Sequence, residues 1–97
     1  NFTLGQYTFD SITQTLQYCG EKQLRSNRES EILKRLCENK DHVLPMKDVL
    51  LELWGDDSFF NARSLHVFIT KLRHKLSKDE SIKILNVRGI GYKLIID

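Results

Sequence analysis

The chain has 97 residues, of which 40% are apolar and 29% charged, a composition that suits one ordinary globular domain with a single core. No apolar run approaches the roughly 20 residues of a membrane-spanning helix, and no signal peptide is visible. The net charge of +2 is unevenly distributed, because residues 1–62 carry a balance of −3 and residues 63–97 a balance of +5. This asymmetry favours an anionic partner that docks on the C-terminal part of the chain.

The residue types argue against a metal site and against catalysis. Cys19 and Cys37 fit no zinc spacing, and His42, His66 and His74 lack cysteine or carboxylate partners at ligand spacing. A single disulfide is possible in principle, but we favour two reduced thiols, because Cys37 falls on the apolar face of a predicted helix and Cys19 in a predicted strand. No nucleophile has a base partner in a recognisable pattern, so we expect no cofactor, no metal and no enzymatic activity.

Residues 1–24 predict a small antiparallel sheet. Phe2 and Leu4, and then Tyr7 and Phe9, alternate with polar residues on either side of Gly5, which marks a bulge or a turn. Further β-forming and turn-forming residues follow. They predict a turn at 10–11, a strand over 13–19, a tight turn at 20–22 and a short third strand over 23–25.

Two amphipathic helices are predicted between residues 26 and 55. Ser26 and Glu29 form a capping box, in which the serine side chain accepts from an early amide and the glutamate reaches back. This helix runs to about Glu38 and ends over 39–41. The second helix opens at Pro45, where the missing amide does no harm, and it ends at Gly55. The buried stripes are Ile32, Leu33, Leu36 and Cys37 in the first helix, and Val49, Leu50, Leu53 and Trp54 in the second.

A third helix is predicted over 61–76, with Asn61 as its N-cap. At 100° per residue its apolar and polar residues fall on opposite sides. The apolar stripe holds Leu65, Phe68, Ile69, Leu72 and Leu76, and the polar side with its flanks holds Arg63, Ser64, His66, Val67, Thr70, Lys71, Arg73 and His74. An ordinary surface helix with solvated charges is the simplest alternative. A short loop over 56–60 joins this helix to the second one as a helix-turn-helix. In this loop we expect one of Phe59 and Phe60 to lock the loop onto the core and the other to be exposed for a partner.

The C-terminal residues predict a β-hairpin over 82–96. A polar loop over 77–81 precedes it, and its strands run over 83–87 and 92–96. Arg88, Gly89, Ile90 and Gly91 form the tip, where glycine permits positive φ in a tight turn. The two glycines are not a nucleotide-binding loop, because no helix follows them. A helix and a hairpin that both carry cations can contact duplex DNA at two places.

In this order the elements resemble a known family, the effector domain of OmpR/PhoB-type response regulators, which is the winged helix-turn-helix output half of bacterial two-component systems. The resemblance covers essentially the whole chain. Four motifs carry it: Ser26-x-x-Glu29-x-x-Ile32-Leu33-x-x-Leu36; Val43, Val49-Leu50 and Leu53-Trp54-Gly55; Arg63-x-Leu65-x-Val67-x-Ile69-x-x-Leu72-Arg73-x-x-Leu76; and Val87-Arg88-Gly89-x-Gly91-Tyr92-x-Leu94. It implies an α+β fold with an N-terminal antiparallel sheet, three helices and a C-terminal β-hairpin wing, and a function in sequence-specific binding of double-stranded DNA.

The resemblance also implies roles for single residues. Those matching base-facing positions in the major groove are Ser64, His66, Val67, Thr70 and Lys71; those matching phosphate contacts are Arg63, Arg73 and Tyr92; Arg88 matches the wing arginine of the minor groove. The segment that can touch RNA polymerase corresponds to Asp56, Asp57, Ser58, Phe59, Phe60 and Asn61. Elementary chemistry agrees, since lysine reaches guanine O6 and N7 and valine packs on a thymine methyl, while arginine suits a narrow minor groove.

Several positions depart from the family pattern. His66 replaces the usual acidic residue, and Phe68 stands where a histidine is common, which removes a phosphate contact and widens the apolar stripe. Thr70 and Lys71 stand where arginines are frequent, and residues 45–47 replace a Ser-Arg-Glu pattern. The departures leave the fold prediction intact, but they change the groove-facing side chains and therefore the DNA sequence that is preferred.

The resemblance further implies partners outside this chain. Because the chain begins with Asn1 rather than Met, we expect a fragment that lacks a phosphorylatable receiver domain, which a sensor histidine kinase would switch in a bacterial cytoplasm. The domain is expected to be a monomer alone and a dimer on promoter direct repeats. The alternative function is a winged-helix protein-interaction module, although such modules lose the basic face. RNA binding is disfavoured, because neither an aromatic RNP-like strand nor a KH-like GXXG loop is present.

Overall fold

The computed structural model describes residues 1–24 and 26–97, except for the side chain of Leu24. Four short strands come first, then three helices with one strand between the first two, and finally a hairpin. The elements are β1 (Phe2–Leu4), β2 (Tyr7–Asp10), β3 (Thr15–Tyr18), β4 (Glu21–Leu24), α1 (Asn27–Glu38), β5 (Val43–Pro45), α2 (Met46–Leu53), α3 (Phe59–Lys75), β6 (Ile82–Val87) and β7 (Gly91–Ile96).

The N-terminal strands form an antiparallel sheet in the order β1-β2-β3-β4. Sequence predicted the sheet, but with three strands rather than four, because the turn at Gly5 is tight enough to divide one alternating run into two strands. The predicted third strand over 23–25 begins two residues earlier, at Glu21, and its last residue, Arg25, lies outside the described residues. Cys19 was expected in a strand but lies in the β3–β4 turn with a positive φ of 49°.

A buried carboxylate joins this sheet to the loop that follows α3. Asp79 accepts hydrogen bonds from the backbone amide of Gln6 at 2.8 Å and from the hydroxyl of Ser81 at 2.7 Å. The hydroxyl of Ser81 and the amides of Gln6 and Ser81 hold the pKa of Asp79 below its usual range. A Cβ atom on Gly5 would overlap the same carboxylate, so the glycine makes room for this connection.

Helix α1 begins as predicted. The Ser26 hydroxyl accepts from the Glu29 amide at 3.3 Å, and the Glu29 carboxylate accepts from the Ser26 amide at 3.3 Å, which completes the capping box. Glu29 also pairs with Lys75 at the end of α3, with Nζ 2.8 Å from Oε1. Burial alone would raise the pKa of Glu29, but the bonds from Lys75 and Ser26 outweigh it and lower that pKa. The ionised pair thus fastens the start of α1 to α3.

The junction between β5 and α2 differs from the prediction. Pro45 is the last residue of β5 and the N-cap of α2, not its first helical residue. Strand β5 itself was not predicted, because three residues are too few to show an alternating period. The far end of α2 is as predicted, since Gly55 has φ of +87° and its amide donates to the Leu50 carbonyl at 3.1 Å, a C-terminal arrangement that favours glycine.

Strands β5, β7 and β6 form a second antiparallel sheet in that order, and β6 with β7 is the predicted hairpin. The core lies between the two sheets and the apolar faces of all three helices. Its buried residues are Leu4, Tyr7, Phe9, Leu16, Ile32, Leu33, Leu36, Leu44, Val49, Leu50, Leu65, Ile69, Leu72, Leu76, Ile84, Tyr92 and Leu94. The predicted helical stripes are therefore confirmed, with Leu53, Trp54, Phe68 and Cys37 packed half-buried against them.

Both cysteines are free, as predicted. The thiol of Cys37 is largely surrounded by the core, and this burial raises its pKa to about 12. A thiol with that pKa stays protonated near neutral pH and is a poor nucleophile. Cys37 therefore behaves as a small apolar residue of α1.

Candidate nucleic-acid interface

Helix α3 begins earlier than predicted. Its N-cap is Ser58, whose hydroxyl accepts from the Asn61 amide at 3.3 Å, and not Asn61, which lies in the first turn. The Asn61 side chain instead donates to the Asp56 carboxylate at 2.6 Å. Asp56 also accepts from the Ser58 amide at 3.0 Å, and these hydrogen bonds, that of Ser58 first, lower its pKa. Both Ser and Asn are good N-caps, and this network decides between them.

The two phenylalanines of the first turn are both exposed. Phe59 is 72% and Phe60 74% accessible, so the expectation that one of them locks the loop onto the core is wrong. The loop is held by the polar network of Asp56, Ser58 and Asn61 instead, and the buried stripe of α3 starts only at Leu65. The two rings contact each other edge to face, with centroids 6.3 Å apart.

The solvent side of α3 presents the predicted polar residues. Val67 is 47% exposed on the same side. The Lys71 ammonium lies over the Phe68 ring at 5.3 Å, and the Arg63 guanidinium over the Phe59 ring at 5.4 Å. These contacts hold the aliphatic stems of both cations against the helix while the charged groups stay in water.

Two hydroxyls on the same face bond back to the helix. Ser64 donates to the Phe60 carbonyl at 3.2 Å and Thr70 to the His66 carbonyl at 3.1 Å, an arrangement common for these residues within helices. His66 is exposed beside them. All five residues predicted to face bases therefore share one accessible side of α3, with Ser64 partly covered.

The hairpin tip places Arg88 in solvent next to Gly89, whose φ is +78°. Behind the tip, the Met46 amide at the start of α2 donates to the Ile90 carbonyl at 2.9 Å, so the hairpin is attached to the helix-turn-helix.

Tyr92, expected to contact phosphate, is only 6% exposed. Burial raises the pKa of its hydroxyl, against the opposing effect of Arg73, so the hydroxyl stays neutral and can donate.

Arg73, also expected to contact phosphate, is bound to the hairpin. Its Nε and Nη2 donate to the Ile84 carbonyl at 2.9 and 2.7 Å, and Nη2 also donates to the Asn86 side chain at 2.8 Å. These bonds fix the angle between α3 and the hairpin. Nothing in the sequence signals this role, because the main acceptor is a backbone carbonyl 11 residues away.

A contact between α1 and α2 was also not anticipated. The Arg28 guanidinium lies over the Trp54 ring, with its carbon 4.0 Å from the ring centroid. Trp54 in turn contacts Phe68 of α3, with centroids 6.1 Å apart. Arg28, Trp54, Phe68 and Lys71 thus form a continuous row, here called the cation–aromatic seam, which carries a positive charge at each end.

Within the ranges that the structure describes, no group of three His, Cys, Asp or Glu residues could hold a metal ion. In the same ranges no helix is both long enough and apolar enough to cross a membrane. The groups assembled on α3 and the hairpin tip are exposed cations, amide and hydroxyl groups and the aliphatic side chains of Val67 and Ile90, which can form hydrogen bonds, ion pairs and apolar contacts with a ligand.

Comparison with known proteins identifies the family. The family model described as "Transcriptional regulatory protein, C terminal" matches residues 20–94. The transcriptional regulatory protein RprY of Bacteroides fragilis is 45% identical over 95 residues, which are 97% of this chain and 40% of RprY. The chain thus spans well under half of the length of this relative.

Two solved structures share the fold. The C-terminal domain of the nisin resistance regulator NsrR, a lantibiotic response regulator, superposes with a TM-score of 0.77 at 30% identity, covering 100% of this chain and 99% of that domain. The DNA-binding domain of RstA from Klebsiella pneumoniae, in complex with the RstA box, gives a TM-score of 0.79 at 26% identity, covering 97% and 95%. Because the family model matches residues 20–94, most of the chain, the chain belongs to the family of transcriptional regulatory protein C-terminal domains, and the predicted winged-helix DNA-binding domain of the OmpR/PhoB type is confirmed.

Proposed function

We propose that the domain binds duplex DNA sequence-specifically, with the solvent side of α3 in the major groove and the hairpin tip, the wing, in the adjacent minor groove. One observation carries the proposal. Arg73 joins α3 to the wing, so that the exposed face with Val67 and Lys71 and the exposed Arg88 are presented as one rigid unit. A major groove about 12 Å wide admits a helix, and a hairpin arginine suits a narrow minor groove.

The proposed roles follow from what each side chain can reach. Lys71 and His66 offer donors or acceptors to base edges, Ser64 and Thr70 retain hydroxyl acceptors, and Val67 can pack on a thymine methyl. We propose that Arg63, near the start of α3, and the hydroxyl of the largely buried Tyr92, behind the wing tip, donate to phosphate oxygens. For Arg73 we propose a positioning role, with any phosphate contact secondary to its bonds with the wing.

A winged helix that binds protein rather than DNA is the competing function. Such a module has no need for unpaired cations on α3 and at the wing tip. In the portion of the chain covered by the structure, no ion pair engages Arg63, Lys71 or Arg88, whereas Lys75, Lys78 and Lys83 are each paired with a carboxylate. Cations left without carboxylates on one face are typical of a surface that meets phosphates.

Lys71→Ala is expected to relax the base preference at one position of the preferred site. Loss of a base contact costs about 1–3 kcal/mol at that site and little on random DNA. The measurement is selection from random duplex DNA at about 50 and about 200 mM salt, because specific binding survives salt better than backbone binding. Lys83→Ala removes a wing cation paired with Asp97 at 2.9 Å and is the matched control. If the Lys71 and Lys83 variants select the same sites as the wild type, the docking of α3 is wrong.

The same selection tests the proposed assembly. We propose that this domain is the output half of a two-component response regulator in a bacterial cytoplasm, following a receiver domain that a sensor histidine kinase phosphorylates. Two copies would then occupy a direct repeat, whose half-sites lie about one helical turn, roughly 10 base pairs, apart. Recovery of a single unrepeated motif, with one domain bound per site, would contradict the two-copy arrangement.

We also propose that the segment from Asp56 to Asn61 contacts RNA polymerase. Two adjacent phenylalanines that are exposed by more than 70%, at the start of α3 next to a loop held by internal hydrogen bonds, are typical of a protein-binding surface. Phe60→Ala, which keeps the contact of Arg63 with the Phe59 ring, is expected to leave DNA affinity within about twofold, because surface changes cost little, and to abolish most transcription from the cognate promoter in vitro. Unchanged transcription by this variant would remove the polymerase contact from the proposal.

A further inference from the structure

The cation–aromatic seam extends the DNA-facing surface of α3 onto α1. We propose that Arg28 contacts a backbone phosphate of the bound duplex, at the end of α2 opposite to the one that contacts the wing. The inference rests on the proposed DNA binding and adds a residue that neither the motifs nor the α3–wing geometry assigns.

The position of Arg28 is not explained by helix stability. It lies in the first turn of α1, two residues after the N-cap Ser26, where the positive end of the helix dipole disfavours a cation. The carboxylates of the same helix turn are engaged elsewhere, since Glu29 pairs with Lys75 and Glu31 with Arg35. Across residues 1–24 and 26–97 no ion pair or side-chain hydrogen bond engages the guanidinium of Arg28.

The geometry of the stack suits a phosphate. With its carbon 4.0 Å from the Trp54 centroid, the guanidinium lies over the indole ring. Stacking restricts its motion, and within the described residues no ion pair or side-chain hydrogen bond occupies its N–H edges. Those edges can donate two hydrogen bonds to a phosphate, a charge-assisted arrangement stronger than a neutral hydrogen bond.

The seam also connects Arg28 with the groove-facing residues. Trp54 contacts Phe68, and Phe68 carries the Lys71 ammonium at 5.3 Å. The Phe68 ring, half-buried against the core, supports Trp54, on which Arg28 is stacked. A cation at each end of one aromatic row places positive charge both at the base edges and beside the groove wall.

The test uses the intact domain and its preferred duplex, with affinity measured over a range of salt concentrations. Arg28→Met keeps the aliphatic stem over Trp54 and removes the charge. Loss of one charge-assisted phosphate bond is expected to lower affinity about tenfold, equally on preferred and random DNA, and to reduce the slope of log K against log salt by about 0.9. Arg28→Lys should restore the slope and only part of the affinity.

Lys34→Met is the matched control, because it removes one charge from the same helix on the side lined by Asp48 and Glu52. Equal urea midpoints for the two Met variants would exclude a folding effect. If Arg28→Met and Lys34→Met bind alike, the phosphate contact is refuted while DNA binding stands. If the wild type itself binds no duplex, the proposed function has failed, and Arg28 with it.

Discussion

Gly91→Ala should lower the free energy of unfolding by about 3 kcal/mol or more, the upper part of the range for overpacking. The reason is not a positive φ, which Gly91 does not have, but the lack of room for a side chain. A Cβ atom there would overlap the Leu44 carbonyl oxygen and lie 2.8 Å from the Met46 nitrogen. Both neighbours are backbone of β5 and of the start of α2, and they cannot rotate away as a side chain would. The overlap can be relieved only if β7 separates from β5.

The effect should extend to DNA binding, because the same junction anchors the wing. Met46 donates to the Ile90 carbonyl, and separation of β7 from β5 breaks that bond. Urea unfolding gives the stability change, and a melting temperature lowered by more than about 10 °C is expected for a domain of this size. Gly89→Ala is the comparison, since its φ of +78° carries strain but no atom lies within 4 Å of the added carbon. Its loss should be only about 1–2 kcal/mol, and equal losses at the two glycines would contradict the packing argument.

Arg73→Met should lower affinity for the preferred duplex by about thirtyfold, or about 2 kcal/mol, which is the size of the cost of ordering a few freed side chains on binding. The reason is the loss of wing alignment. Without the guanidinium, the Ile84 carbonyl oxygen and the side-chain oxygen of Asn86 lose their common donor. The wing is then free to rotate relative to α3. Placing Arg88 in the minor groove then costs the entropy of ordering the wing.

A phosphate contact and a positioning role make different predictions for Arg73. If its charge met a phosphate, Arg73→Lys would retain the salt slope and most of the affinity. A lysine cannot donate from two nitrogens in the fixed fork of arginine, so in the positioning role Arg73→Lys binds nearly as weakly as Arg73→Met. Asn86→Ala, which changes no charge, should reproduce part of the loss with an unchanged salt slope.

Coupling between Arg73 and Arg88 is the sharpest measurement. If Arg73 aligns the wing, Arg88→Ala should cost less in the Arg73→Met background than in the wild type, because the wing is already misplaced. Independent phosphate and minor-groove contacts would instead give additive losses. Additivity, together with rescue by lysine, would return Arg73 to the role that the family resemblance implies.

Sequence patterns predicted those parts of the fold that depend on near neighbours. The capping box of Ser26 and Glu29, the Gly55 terminus of α2 and the apolar stripe of α3 each involve residues within a few positions of one another, where helical geometry determines which side chains meet. The family resemblance added the roles of single residues on the polar face of α3, which the helical period had already predicted. The structure shows that face where it was predicted, with Val67 exposed among cations.

The errors occurred where two local signals competed or were too short. Ser58 and Asn61 can both cap a helix, and only the carboxylate of Asp56, which binds both, decides in favour of Ser58. Strand β5 has three residues and owes its existence to pairing with β7, so that Pro45 ends a strand rather than opening a helix. In the first case a neighbouring carboxylate sets the boundary, and in the second a strand near the end of the chain does.

By itself, then, the sequence determined the class of the domain, its three amphipathic helices, its wing and the residues that face solvent on α3. These features depend on apolar spacing and on helix caps, which involve residues within one or two helical turns of each other. The tertiary structure alone decided which cations are engaged and which are available. Arg73 donates to a carbonyl of β6, Arg28 stacks on the Trp54 ring just after α2, and Gly91 leaves room for the backbone of β5. Each of these contacts joins different elements of the fold, and their distances follow from how the core packs rather than from any spacing of residues.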